Sequence, residues 1–265
     1  MSETENKINY EDLEKEFLMN YEFDTTSHVL SENPKRKYKP NPVISDKPEF
    51  CLIALEPSLP ELGDTRERVN YIDLLFMQSY NNLILQYCAF TYLCNNKFNY
   101  QITDICKTPL TQKEHNVRNF IFPKWIELLK HELEYFNNPI IIAVGTKTKN
   151  ALDMIDYSKE IYEIPHYSGN NTKSSIFNNI SNEIGENYQD KALKIIEEVR
   201  EFTINKLIPH LQFTDSVFAG NKFEVDIESL NKLFDLEKIK TLKRPLIRYL
   251  AYEKIFNEIN QKYSK

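Results

Sequence analysis

Three side chains able to do chemistry stand at the ends of apolar runs. Glu56 follows Phe50-Cys51-Leu52-Ile53-Ala54-Leu55, Asp104 lies near the end of Tyr100-Gln101-Ile102-Thr103-Asp104-Ile105, and His166 follows Ile161-Tyr162-Glu163-Ile164-Pro165. A carboxylate can stabilise developing positive charge or orient a water, and an imidazole can donate a hydrogen bond to developing negative charge. The same residue types also serve as turn and capping groups, so their placement decides their value.

That placement depends on the elements around them. The run from Phe50 is stopped by Glu56-Pro57-Ser58-Leu59-Pro60, and a short continuous apolar run with a hard stop fits a strand buried on both faces, as in parallel sheets. Tyr100–Ile105 reads as a second strand, Pro139–Gly145 as the clearest one, and Ile161–Pro165 as a short last one. Between them, helical spacing of apolar residues runs from about Thr65 to Cys94, from Lys124 to Phe136 (Trp125, Leu128, Leu129, Leu133) and from Thr146 to Ile155. Strands alternating with helices require right-handed crossovers, which predicts an α/β three-layer sandwich with a central parallel sheet of about four strands. In such a sheet the ligand crevice lies beyond the carboxyl ends of the strands. Glu56, Asp104, Gly145 and His166 all fall there.

The remainder reads as additions to this unit. Asn9–Phe23 has the spacing of an amphipathic helix (Leu13, Phe17, Leu18, Tyr21), and the Pro- and Lys-rich stretch Ser31–Pro48 reads as an extended connector. Asn187–Leu211 reads as a long amphipathic helix, and Val225–Leu236 and Pro245–Tyr263 as helices of a charged tail with Lys238, Lys240, Lys243, Arg244 and Arg248. The expected division is an N-terminal helix and connector over 1–48, the α/β domain over 49–213 and a C-terminal helical extension over 214–265.

A chain of 265 residues suffices for one sizeable core plus additions, and its net charge of -6 argues against attachment to nucleic acid by a global basic field. Any such contact has to be local. The acidic amino terminus is followed by no apolar signal region, and no uninterrupted apolar run is long enough to span a bilayer, so a cytoplasmic protein without membrane attachment is expected. Cys51, Cys88, Cys94 and Cys106 form no C-x-x-C pair, so no metal cluster is expected.

Four segments, in order, resemble the motif series of the uracil-DNA glycosylase superfamily. Ala54-Leu55-Glu56-Pro57-Ser58 resembles its first motif, and Thr103-Asp104-Ile105-Cys106-Lys107 resembles its base-reading Thr-Asn-x-x-Lys element. Trp125 to Leu152, with Ile140 to Thr148 at its centre, is similar to the helix, strand and glycine turn before the last motif, and His166-Tyr167-Ser168-Gly169-Asn170 resembles the His-Pro-Ser-Gly-x motif itself. Ala54 and Ser58 replace glycines usual in the first motif, Asp104 replaces an asparagine and Tyr167 a proline. The cysteines of the iron-sulfur branch have no counterpart.

The resemblance implies a DNA glycosylase that needs no cofactor and is expected to act on DNA as a monomer. It flips a nucleotide out of the stack and hydrolyses its N-glycosidic bond through an oxocarbenium-like sugar cation. Glu56 and His166 take the catalytic roles: the carboxylate faces the sugar, and the imidazole donates to the departing base. Asp104, Ser58 and Lys107 bind the substrate, with Tyr71 and Phe76 as stacking candidates. Ser168, Asn170, Asn171 and Lys173 in the last motif loop, and Lys243 and Arg244 in the basic tail, are the expected DNA contacts. An ionised carboxylate only accepts hydrogen bonds, so Asp104 suits a base with an exocyclic amine. That suits a modified cytosine or another amine-bearing base better than plain uracil, and the resemblance leaves open both excision of uracil or a modified pyrimidine in DNA repair and the branch of the superfamily that defends bacteria against phage DNA.

Two alternatives stay open. One is a catalytically silent DNA- or protein-binding member of the same fold. The other is an unrelated flavodoxin-like enzyme acting on a nucleotide, for which the chain offers no Gly-rich phosphate loop.

Overall fold

The structure is a computed structural model that describes residues 43–55, 80–106, 118–155, 157–166, 175–218, 227–235 and 242–263. Its centre is a four-stranded sheet built from β1 (Phe50–Ala54), β2 (Tyr100–Asp104), β3 (Ile140–Val144) and β4 (Ile161–Ile164) in the order β2-β1-β3-β4. Every pairing is parallel. The three strands β1–β3 are buried along their whole length, which is why they read as unbroken apolar runs rather than alternating ones.

Helices cover both faces, so the chain forms an α/β sandwich. On one face Phe50, Leu52 and Ala54 join Tyr100, Ile102, Ile140, Ile142, Val144 and Ile164. They pack under α1 (Tyr80–Cys88), α5 (Gln189–Phe202), α6 (Ile208–Phe218) and α8 (Lys243–Tyr263). On the other face Cys51, Ile53, Ile141 and Ala143 meet Leu129 and Leu133 of α2 (Arg118–Tyr135) and Leu152 of α3 (Thr146–Leu152). The helices α4 (Ser175–Glu183) and α7 (Ile227–Leu233) complete the described elements.

Three features depart from the sequence reading. Residues 175–183, left unassigned, form α4. The long helix expected over Asn187–Leu211 runs to Phe218 but is interrupted at Thr203–Leu207 by a wide π-helical turn, and a second such turn, Ala89–Leu93, continues α1. The end of the expected connector is anchored: Val43 and Ile44 are buried, the Ile44 N–H donates to Gln101 Oε1 (2.9 Å) and His210 Nε2 bonds the Ile44 carbonyl (2.6 Å). The expected N-terminal helix, Asn9–Phe23, lies outside the described residues.

Helix α8 contributes Leu246, Tyr249, Tyr252, Phe256 and Ile259 to the same core as the sheet. It runs the height of the sandwich. Tyr252 reaches the chain just after β4, while Tyr263 meets the ring of Phe50 edge-on at the start of β1 (centroids 6.3 Å apart).

Candidate functional site

The carboxyl ends of the four strands form one rim. Asp104 closes β2 in register with Ala54 of β1, and the β1–β2 ladder continues beyond both, the Ile105 and Cys106 amides donating to the carbonyls of Ala54 (2.9 Å) and Leu55 (3.0 Å). Leu55 is therefore at the rim, and Glu56 is the next residue in the chain. On the other side of β1, Val144 of β3 pairs with Ile164 of β4, and the Gly145 amide donates to the Ile164 carbonyl (2.8 Å). Asp104 is fully buried and shares the face of Tyr100 and Ile102, the face covered by α1 and α8.

His166 is held from two sides. Gly145 has φ +94° and lies so close that a β-carbon there would meet the His166 Cβ at 3.0 Å, so the residue has to be glycine both for its backbone and for its neighbour. The turn is fixed further by Thr146, whose hydroxyl donates to Glu163 on β4 (2.6 Å), and Thr148, whose hydroxyl donates to the Val144 carbonyl (3.0 Å). From the helical layer, the Tyr252 hydroxyl donates to the carbonyl of Pro165 (2.9 Å), the peptide group immediately before His166. One turn earlier on α8, the buried Arg248 donates to Asn81 Oδ1 on α1 (2.8 Å).

Burial, and after it the positive charges of Arg248 and Lys147, push the His166 imidazole down from the ordinary 6.5 to about 4. At neutral pH the ring is uncharged, with one nitrogen donating and the other accepting. A neutral imidazole keeps one N–H that can donate a hydrogen bond to a group that gains negative charge. Arg248 is itself pushed downward, by burial first and by Arg244 as well, but an arginine starts high enough to remain cationic.

No protein-family model matches the chain, and no curated protein matches it. Of the site residues expected from the sequence, Asp104 and His166 are brought to one rim, β2 and β4 being the two edges of the sheet with β1 and β3 between them. Three inter-strand steps separate these edges, about 14 Å at the usual strand spacing. Lys243 is half-buried and Arg244 exposed, in the first turn of α8, the end of the helix nearer this rim. Glu56, Ser58, Tyr71, Phe76, Lys107, Ser168, Asn170, Asn171 and Lys173 lie outside the described residues.

Tyr252, Asn81 and Lys147 were not among the expected site residues, and Arg248, expected as part of a basic tail facing phosphates, is buried and bonded to Asn81 instead. Arg248 does carry a signal: it falls on the stripe of α8 that holds Leu246, Tyr249 and Tyr252, and a cation on an apolar stripe asks for a polar partner. All four cysteines are buried, and burial pushes the thiols of Cys88 and Cys94 upward, the latter to about 12, which leaves them poor nucleophiles. Among the described residues no three His, Cys, Asp or Glu side chains group as a metal site, and no described helix is long and apolar enough to cross a membrane.

Proposed function

We propose that this chain is a DNA glycosylase that hydrolyses the N-glycosidic bond of a flipped-out pyrimidine and leaves an abasic site, acting in the cytoplasm as a monomer and in defence against foreign DNA. The observation that carries the reading is His166: a neutral imidazole, packed on Gly145 at the carboxyl rim of the same sheet in which β1, two strands from β4, leads into Glu56.

In this reading the bond between deoxyribose C1' and the base nitrogen breaks first, and its electron pair leaves with the base. Glu56 stabilises the resulting sugar cation, orients the water whose oxygen forms the new bond to C1' and accepts the proton that water loses, while the departed base anion is protonated from solvent. His166 donates its N–H to the base carbonyl oxygen on which the negative charge gathers. Asp104, buried at the end of β2, accepts from an exocyclic amine of the base, which favours a cytosine derivative over uracil. Lys243 and Arg244 supply local phosphate contacts that the net charge of -6 does not.

The test is release of base from oligonucleotides carrying uracil, cytosine or 5-substituted cytosines, read as strand scission at the abasic site. The expected result is excision of a modified cytosine, lost in Glu56→Gln and lowered about 100-fold in His166→Ala. Asp104→Asn should shift preference toward uracil. Rapid uracil excision by the parent chain would refute the assignment of the base. DNA binding with no excision of any base would refute the enzymatic reading in favour of a silent binding protein.

A further inference from the structure

We propose that Tyr252 and Arg248 of α8 are positioning residues for His166, Tyr252 by holding the peptide group before it and Arg248 by placing a fixed cation beside its ring. The geometry comes from residues far apart in the chain. The Tyr252 hydroxyl donates to the Pro165 carbonyl at 2.9 Å, which ties the backbone leading into His166 to the helical layer. Arg248, four residues earlier and so on the same side of the helix, is buried and anchored by the 2.8 Å bond from its guanidinium to Asn81 on α1. Gly145 packs directly against the His166 side chain, so the residue is contacted by a glycine turn while the peptide before it is tied to α8.

The surrounding charges support the assignment. Among the described residues, the charged groups acting on the His166 ring include Arg248 from α8 and Lys147 from α3, and Arg244 acts in turn on Arg248. All three are cationic, and Arg248 and Lys147 disfavour a positive charge on the imidazole. A planar guanidinium held by Asn81 cannot swing away as a lysine on the surface can. The inference rests on the reading of His166 as the base-side donor, but it concerns the placement of the ring and can be measured without turnover.

The experiment is an NMR titration of the His166 imidazole in the full chain, with His166→Ala identifying its signals, run beside a pH profile of base release. The variants are Tyr252→Phe, Arg248→Gln, which keeps a donor for Asn81 but removes the charge, and Arg248→Lys, which keeps the charge. The parent should titrate near pH 4. Arg248→Gln should raise that midpoint and move the acid limb of the kcat profile upward with it, while Arg248→Lys should restore most of the parent value. Tyr252→Phe should shift the ring signals and lower kcat about fivefold with KM unchanged, the loss expected for one hydrogen bond. A His166 midpoint unchanged in Arg248→Gln, together with ring signals unchanged in Tyr252→Phe, overturns the proposal. If either variant unfolds, Arg248→Lys decides: a midpoint raised as far as the free imidazole value shows that the cation alone does not hold the ring. A chain that releases no base but shows the expected shifts loses the glycosylase reading and keeps this one.

Discussion

Gly145 leaves no room for a side chain beneath His166. With φ +94° and ψ 151°, its backbone is in a region that is nearly closed to other residues, and a methyl group there would press on the histidine's own β-carbon. Gly145→Ala therefore carries two penalties, a strained backbone and a displaced ring. We expect it to lower stability by about 1–3 kcal/mol in urea unfolding and to move the His166 ring signals in NMR. Stability within 0.5 kcal/mol of the parent, to take roughly the spread of neutral surface changes, would show that the turn relaxes around the new methyl.

Protonation of His166 gives a pH dependence whose sign is set by burial. Its folded pKa is depressed, so between about 4 and the ordinary 6.5 the unfolded chain binds more protons than the folded one. Stability linked to this group is complete above pH 6.5 and declines as pH falls toward 4, by up to about 3 kcal/mol. Urea midpoints measured from pH 7 to 4.5 should fall less steeply in His166→Asn than in the parent. Parallel curves would show that the ring titrates as it does in a free peptide.

A polar tie fastens the segment before β1. The buried amide of Gln101 accepts the Ile44 N–H with its oxygen and donates to the Ile102 carbonyl with its nitrogen. Gln101→Leu keeps the volume and removes both bonds, stranding the Ile44 N–H. A loss of about 1–3 kcal/mol is expected, with faster amide exchange at Ile44 than at core strand positions. Exchange accelerated uniformly would assign the effect to global stability instead.

Lys243 and Arg244 begin α8 close to the rim, with Arg244 exposed. If both meet phosphates, Lys243→Gln together with Arg244→Gln should weaken binding equally for all oligonucleotides and reduce the slope of log affinity against log salt by about 2. A sequence-dependent loss would place them on base edges.

The sheet was legible because its strands are buried on both faces. Phe50–Ala54 and Ile140–Val144 read as continuous apolar runs cut off by Glu-Pro and by glycine, and their ends gave the rim. Helix α4 was not legible: its buried side chains are only Phe177 and Ile180, set among Ser and Asn residues of low helix propensity, so packing against Ala251 of α8 decides it. The wide turns at 89–93 and 203–207 leave no mark in a 3.6-residue pattern that resumes one residue out of phase. That Asp104 and His166 stand at the rim followed from their positions at strand ends. The bonds of Arg248 and Tyr252 did not follow, since their partners lie 167 and 87 residues away and no local spacing announces such a pair.

Those separations also bear on how the protein reaches its working form. Strand β1 lies between partners that follow it by 50 and 90 residues, the Tyr252–Pro165 bond that braces the chain before His166 spans 87, and the Arg248–Asn81 bond spans 167. Contacts of this span form late, after local helices have already appeared. Until the last helix docks, the histidine is an ordinary solvated imidazole on a partly assembled sheet. Its depressed pKa is thus a property of the completed molecule, and during refolding it should appear only after most of the helical signal has returned.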